Sequence, residues 1–286
     1  MPTIHALEIF VTLYQTLSVT KTAKIHYCSE PSISRSIKNL ENEYNTLLFE
    51  RYQHSFIPTE KANILYEQAL LLLDNYKNMN ASMNSQNTTI RIGSTVTISN
   101  TLLPSLIKAS PENLRIEVTV SNGLSLQQDL LSNKLDLALI ENKVNSDTLI
   151  STPFAKDHLI LVVSNNHPLT KQNEVTLEDI QNYPFLQREK GSAVREYLDE
   201  LFTQENIHID SLWQSRSTQA LLYAVEEDIG ITILPEKMCQ KEIESHQLSA
   251  IKIKDFPLER KYYVVYHKDK KFNTALSSFK SLILKI

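Results

Sequence analysis

The residues best suited to chemistry lie between Ser18 and Arg51, centred on Ser29-Glu30-Pro31-Ser32-Ile33-Ser34-Arg35-Ser36-Ile37-Lys38-Asn39-Leu40-Glu41. Ile33, Ile37 and Leu40 recur at helical spacing and face a core, which turns Ser32, Arg35, Ser36 and Asn39 outward. Hydroxyls and cations on one side of a short helix are what reading a DNA groove requires. Arg35 and Lys38 would engage phosphates or guanine edges, while Ser29, Ser32 and Ser34 anchor the backbone or nearby bases. Between Lys21 and Lys38 the cations Lys21, Lys24, Arg35 and Lys38 stand against Glu30 alone, and Glu41, Glu43 and Glu50 follow. The chain as a whole carries a net charge of −4, so contact with double-stranded DNA must come from this local patch.

A second constellation suits a small anion. Ser94-Thr95-Val96-Thr97-Ile98-Ser99 follows a strand-like run and opens a helix, and Gly191-Ser192-Ala193 and Ser217-Thr218-Gln219 repeat the arrangement. Helix N-termini offer unpaired N–H groups and the positive dipole end, and hydroxyls add donors, so three converging turns make an anion pocket. The competing use of each hydroxyl is ordinary N-capping. Arg188, Lys190 and Arg195 flank Gly191. Arg188, which closes the apolar run Pro184-Phe185-Leu186, is the one expected to face a carboxylate or phosphate. The candidate ligand-binding residues are thus Thr95, Val96, Thr97, Arg188, Ser192 and Thr218.

Other chemistries find no support. No nucleophile, base and orienting group can be assembled, and no phosphate-loop fingerprint is present, so no catalytic residue and no cofactor is assigned. The eight histidines are scattered without metal-ligand spacing, so no metal is expected. Cys28 and Cys239 are too far apart for a CxxC pair and form no disulfide framework, which points to a reducing compartment. Cys28 reads as a small buried apolar residue rather than a redox switch, and Trp213 and the tyrosines as packing residues. Met1-Pro2-Thr3-Ile4-His5-Ala6 lacks a signal-peptide pattern and no run is long enough to span a membrane, so a cytoplasmic location is expected.

The elements that must position these residues follow from periodicity. The 286 residues fit two domains at roughly 100 to 200 residues each, and 42% hydrophobic with 22% charged residues suits a soluble globular chain. Leu7, Phe10, Val11 and Tyr14 predict a first helix from about Ile4 to Thr16. Ser18 or Thr20 caps a short second helix through Ala23 and Ile25. After a break near Cys28-Ser29, Pro31 suits the first turn of a third helix, with Ser29 or Glu30 satisfying neighbouring donors. Asn45 ends it in the left-handed conformation. Leu48-Phe49-Glu50-Arg51 and Ser55-Phe56-Ile57-Pro58 flank Tyr52-Gln53-His54 as a hairpin or wing.

Beyond Pro58-Thr59, the residues Ala62, Leu65, Ala69, Leu72, Tyr76, Met79 and Met83 alternate steps of three and four. That is a heptad seam calling for a partner helix. Asn80 to Thr89 reads as a linker. From Ile90 onward the pattern changes. Ile90–Gly93, Ile116–Val120, Leu135–Ile140 and Leu159–Val163 are strand-like, with Leu102–Ile107 and Leu124–Leu131 helical between them. The alternation continues through Tyr197–Phe202, Ala220–Val225, Ile231–Leu234 and Tyr262–Tyr266, predicting a largely parallel α/β architecture. Phe272, Leu276, Phe279 and Ile283 close the chain on an amphipathic helix. Gly93, Gly123, Gly191 and Gly230 each stand beside a predicted element end, where positive φ or close backbone approach is useful.

This order of parts resembles the LysR-type transcriptional regulators over nearly the whole chain. The resemblance is carried by Phe10, Ser18, Ala23, Ser29, Pro31, Ser34, Arg35, Ile37, Leu40-Glu41, Leu48-Phe49-Glu50-Arg51 and Thr59-Glu60. It implies an α+β multi-domain fold in three parts. Residues 1–58 would form a winged helix-turn-helix and residues 59–89 a dimerising linker helix and hinge. Residues 90–286 would form a two-lobed α/β effector domain similar to periplasmic substrate-binding proteins. Lobe I would take about 90–162 and 267–286, lobe II about 163–266, joined by crossing strands near Leu159–Ser164 and Tyr263–His267.

The resemblance further implies a homo-oligomer, a dimer through the linker helix and a tetramer beyond it, bound to an interrupted inverted repeat and answering to a small-molecule effector, with no membrane partner. It directs DNA contact to Thr20, Ser29, Glu30, Ser32, Ser34, Arg35, Lys38 and Arg51. Leu17, Asn45 and Ala62 stand where the family often has Gly, and His26 where it favours Leu. Glu30 replaces a common Gln. Gln pairs with adenine, whereas a carboxylate accepts only, for instance from cytosine N4, so operator preference shifts with it. The alternative reading is a solute-binding or enzymatic α/β domain carrying an N-terminal DNA-binding adaptor.

Overall fold

The structure, a computed structural model, describes residues 1–52, 55–83, 89–112, 114–172, 174–256 and 258–286. It divides into two compact units, Met1–Thr88 with Leu131–Lys134 and Asp269–Asn273, and Thr89–Leu130 with Leu135–Lys268 and Thr274–Ile286.

The first unit contains α1 (Ile4–Thr16), α2 (Val19–Ile25), α3 (Glu30–Tyr44), the hairpin β1 (Phe49–Tyr52) and β2 (Ser55–Pro58), and α4 (Glu60–Met83). Leu17 ends α1 in the left-handed conformation (φ 48), its N–H bonded to the Leu13 carbonyl. Of the two candidate caps for α2 it is Ser18 whose hydroxyl accepts from Lys21 N at 3.3 Å. Asn45 ends α3 at φ 48 and ψ 44, the left-handed stop that Asn tolerates. Ser29 departs from expectation: it holds the N-cap place of α3, but its side chain makes no capping bond. Its carbonyl accepts from Ser32 N and Ile33 N instead.

Phe10, Leu13, Ile33, Leu40 and Leu48 are almost fully buried and hold α1, α3 and the hairpin together. Glu41 ties the hairpin to α3, because its Oε1 accepts from Leu48 N at 2.9 Å and Phe49 N at 3.3 Å. Thr59 secures the far side, donating to the Leu47 carbonyl at 2.8 Å and accepting from Ala62 N at 3.2 Å. Strand pairing runs from Phe49 with Pro58 to Tyr52 with Ser55. Gln53 and His54, expected at the wing tip, lie outside the described residues.

The expected heptad seam of α4 divides, in the single chain, between a part packed on its own unit and a part left in solvent. Ala62 and Ala69 are buried against α1, but the next buried residue is Leu73, at 8% exposure, while Leu72 is 45% exposed. The buried face advances by four residues after Ala69 because a straight helix drifts off a strict 3.5-residue repeat. Tyr66 stacks on Tyr14 of α1 with centroids 3.9 Å apart, and the Tyr14 hydroxyl donates to Asn63 at 2.8 Å. Ile64, Leu72, Tyr76 and Met79 are left exposed on the helix. Asn80 belongs to α4 rather than to a linker, and the Met83 side chain is outside the described set.

In the second unit the order is β3 (Thr89–Ser94), α5 (Val96–Thr101), α6 (Leu103–Lys108), β4 (Arg115–Val120), α7 (Gly123–Leu131), β5 (Leu137–Ile140) and β6 (Leu149–Ser164). Next come β7 (Glu174–Val175), α8 (Leu177–Ile180), β8 (Phe185–Arg188), α9 (Ala193–Gln204), β9 (Ser211–Ser215) and α10 (Thr218–Glu226). The chain closes with β10 (Thr232–Pro235), α11 (Glu236–Glu244), β11 (Leu248–Ile253), β12 (Glu259–His267) and α12 (Thr274–Ile283).

Strands β4, β3 and β5 are mutually parallel, as are β8 and β9. Strand β7 is parallel to β11, and the remaining pairs of the ladder are antiparallel: β12 with β5 and β6, and β6 with β10 and β11. The expectation of a largely parallel sheet therefore holds within each βα cluster and fails where the chain crosses between lobes. The crossing strands also begin earlier than expected. Leu149 to His158 of β6 pair with His267 to Glu259 of β12, and only then does β6 continue as Leu159–Ser164 between β10 and β11. The register shifts between Tyr262 and Tyr263, opposite Ala155 and Pro153. Pro153 cannot donate to a ladder, so a bulge there disturbs little.

Separate apolar clusters fill the lobes. Leu126, Leu130, Leu135, Ala138, Ile140 and Val265 lie in one, and Leu161, Val163, Ile180, Phe185, Leu198 and Ile233 in the other. Trp213 is 41% exposed on β9, so the expected packing role is not what it has. Cys239 is fully buried, and burial pushes its thiol up to about 12, whereas Cys28 is only partly buried beside the first unit's core.

Gly230 is required by close approach. A Cβ there would overlap the Pro184 carbonyl oxygen, which accepts from Ile231 N at 2.9 Å and joins β8 to β10. Gly230→Ala is expected to lose ~1–3 kcal/mol through overpacking. Gly123→Ala, where a Cβ meets nothing within 4 Å, is expected to leave stability near wild type. Urea unfolding followed by the fluorescence of Trp213, the sole tryptophan, checks both.

Candidate nucleic-acid interface and ligand pocket

On the first unit, α2 and α3 present one polar face. Thr20, Lys21, Lys24, Ser29, Glu30, Ser32, Arg35 and Lys38 are exposed, and Ser34 is half-buried. Ile33, Ile37 and Leu40 fix the rotation of α3 by burying the opposite side, so Arg35 and Lys38 project from the solvent face. Neither these two cations nor Lys21 and Lys24 form an ion pair with any described residue, which leaves them free for phosphate or base edges. Arg51 lies on β1, opposite Phe56. Thr20 and Glu30 are joined directly, the Thr20 hydroxyl donating to Glu30 Oε1 at 2.8 Å. That bond links the two helices of the motif and was not legible from spacing alone.

In the second unit the parallel topology gathers a pocket. Ligands of open α/β sheets bind beyond the carboxyl ends of parallel strands. Here β3 runs out at Thr95, β4 at Ser121 and Asn122, β5 at Glu141, and β8 at Arg188 and Glu189. Thr95, Val96, Thr97, Arg188 and Ser192 line one cavity together with those residues and Gly123. Gly191, at φ +85, makes the turn that brings Ser192 round to open α9. Of the predicted ligand-binding residues only Thr218 stays off the wall. It is buried and accepts from Arg188 Nη1 at 3.2 Å.

The hydroxyls are divided between the two uses considered above. Ser217 caps α10 by accepting from Ala220 N at 3.2 Å. Thr95 and Ser192 occupy N-cap positions but make no capping bond, and Thr95 Oγ1 is buried with no partner. Arg188 is 5% exposed and turns inward to its neighbour, with Nε to Glu189 Oε2 at 2.9 Å and Nη2 to Glu189 Oε1 at 3.1 Å. Arg195 is held by Asp199 at 2.7 Å, and Lys190 is exposed. Sequence reasoning missed Glu141, which is 2% exposed with Oε2 unpartnered. The available signal was a carboxylate directly after the four apolar residues of β5. Among the described residues no group of three or more His, Cys, Asp or Glu could hold a metal ion, and no helix is long and apolar enough to cross a membrane.

Comparison with known proteins gives a consistent picture. Residues 4–63 match the bacterial regulatory helix-turn-helix model of the lysR family, and residues 84–285 match the LysR substrate binding domain. The HTH-type transcriptional regulator CysL of Bacillus subtilis (strain 168) is 30% identical over 268 residues, covering 91% of this chain and 89% of that protein. A full-length OxyR variant from Pseudomonas aeruginosa superposes with a TM-score of 0.71 at 18% identity, covering 99% of this chain and 93% of that one. The effector binding domain of QuiR, solved in complex with shikimate, has a TM-score of 0.63 at 24% identity and covers 70% of this chain and 97% of its own.

Proposed function

Since this chain belongs to the LysR family of bacterial helix-turn-helix regulators, a family of DNA-binding regulators with an effector-binding C-terminal domain, we propose that a small anionic metabolite is its effector. The observation that carries this reading is the convergence of Thr95, Val96, Thr97 and Ser192 with Arg188 on one cavity at the carboxyl ends of parallel strands. Helix-opening N–H groups and uncommitted hydroxyls favour an anion there. The QuiR domain, whose structure was solved with shikimate, shares this fold and supports a carboxylate or comparable anion as the ligand class. Bound metabolite acts on DNA contact rather than being turned over, so the chain is a regulator and not an enzyme, and it works in the cytoplasm, where its DNA is.

DNA is read by Thr20, Ser29, Glu30, Ser32, Ser34, Arg35, Lys38 and Arg51. Two copies read the half-sites of an interrupted inverted repeat. The exposed Ile64, Leu72, Tyr76 and Met79 of α4 supply an apolar stripe for a second α4, and pairing of such dimers gives a tetramer. Small carboxylates and oxyanions are expected to raise the melting temperature of the full chain by about 2–4 °C for each kcal/mol of binding. Thr95→Ala with Ser192→Ala is expected to abolish that rise. A rise retained in the double variant would place the ligand elsewhere.

A further inference from the structure

The pocket carries more acid than a plain anion site tolerates. Arg188 is its only lining cation among the described residues, and all three nitrogens of its guanidinium are engaged, two by Glu189 and one by Thr218. The lining also includes Glu141, whose Oε2 is buried without a partner, and Thr95, whose Oγ1 is likewise unpartnered. A carboxylate oxygen only accepts hydrogen bonds. Left unpartnered in a buried place it is costly, and any ligand atom that brings only lone pairs to it adds repulsion.

We propose that the effector of this site is a small anion that also carries a proton to donate, and that Glu141 is the residue that selects it. Its donor group, a hydroxyl, an ammonium or the O–H of a partly protonated oxyanion, bonds Glu141 Oε2. Thr95 Oγ1 takes a second polar atom, and the negative oxygens lie towards the Ser192 hydroxyl at the start of the twelve-residue α9. This rests on the pocket reading above and narrows it: a fully ionised anion of the same shape is excluded by Glu141. The space is small, about 40 Å³, room for about three or four groups the size of water at about 10–15 Å³ each. That favours compact ligands such as a tetrahedral oxyanion or a three-carbon acid.

Matched probes on the full chain test the idea by thermal shift at pH 7. Phosphate, whose ions all still carry at least one O–H there, is set against sulfate, which carries none, and lactate and alanine against propionate. The expected result is stabilisation by phosphate or by lactate and alanine, at least tenfold stronger in apparent affinity than by the partner lacking a donor. Which of the two groups responds tells an oxyanion from a hydroxy or amino acid. Glu141→Gln, which puts an N–H₂ donor at the same place, is expected to erase or reverse the preference, so that sulfate or propionate gains. Equal responses within each matched set, no response to any probe, or a preference unchanged in Glu141→Gln would each overturn the proposal. Failure of the pocket reading has a different signature, a response surviving Thr95→Ala with Ser192→Ala.

Discussion

Arg260→Met is expected to destabilise the effector domain by ~3–5 kcal/mol, the largest loss from any single side chain considered, because it strands a buried carboxylate. Arg260 and Asp157 face each other on the crossing strands β12 and β6, with side chains 2% and 1% exposed. Asp157 Oδ2 accepts from both Nε, at 2.9 Å, and Nη2, at 2.7 Å. Their neighbours offer little compensation. Arg260 Nη1 has no hydrogen-bond partner; the buried Tyr262 hydroxyl lies close to the Asp157 carboxylate without a well-formed hydrogen bond, and burial together with that carboxylate pushes the phenol far above its usual range. With Arg260 gone, Asp157 must stay charged without a partner or take up a proton.

The pair is not a large net stabiliser in its own right, since desolvating two ions offsets most of their attraction. The double variant Asp157→Leu with Arg260→Met is therefore expected to recover most of the loss, giving a coupling energy above ~2 kcal/mol. Urea unfolding followed by Trp213 fluorescence measures it, since Trp213 belongs to the same unit. A single variant within ~1 kcal/mol of wild type would mean that water or another group already solvates Asp157. The pair sits at directly opposed positions of the antiparallel strands β6 and β12, so it ties the two strands together from within the buried interior.

The legibility of these features in the sequence follows their physical range. Boundaries set by local chemistry were readable: Asn45 tolerates the left-handed stop, Pro31 suits the first turn of α3, and α1 spans Ile4–Thr16 as its periodicity predicts. Features set by what the chain meets far away were not. Ala62 and Ala69 look like one seam with Leu72, but within the single chain it is Leu73 that is buried and Leu72 that is exposed. Leu149 to Ala155 lacks a strand-like alternation, and only its pairing with β12 makes it one. In the pocket, the hydroxyl turns at Thr95 and Ser192 were visible because a helix start has a local signature. Glu141 was not, because a single carboxylate after a strand acquires meaning only when the fold buries it in the lining of the same cavity as Arg188. Arg188 lines the same cavity, while its commitment to Glu189, the next residue, is visible only in side-chain geometry.

Arg35→Ala is expected to weaken operator binding by ~1–3 kcal/mol per half-site, about 5- to 150-fold, if its guanidinium reads a guanine edge. A dimer on an inverted repeat feels the loss twice. Arg35 is exposed on the solvent face of α3, one turn after Ser32 and one before Lys38, and that face is fixed by the burial of Ile33 and Ile37 on the other side. The same substitution should therefore leave folding intact. Lys38→Ala separates the two kinds of contact, since a phosphate partner lowers affinity for all sequences alike and reduces the salt slope by about 1, whereas a base partner relaxes specificity at one position. Glu30 adds the part particular to this chain. Thr20 already donates to its Oε1, which pins the carboxylate and leaves the other oxygen to accept from a base such as cytosine N4. Operator selection from randomised DNA should then yield a different base preference for Glu30→Gln than for the natural chain, with Thr20→Val broadening the natural preference by unpinning Glu30. Gel shifts with the DNA beside the gene give the affinities. Unchanged binding by Arg35→Ala would remove α3 from the groove, and an unchanged selected sequence for Glu30→Gln would remove Glu30 from the reading of bases.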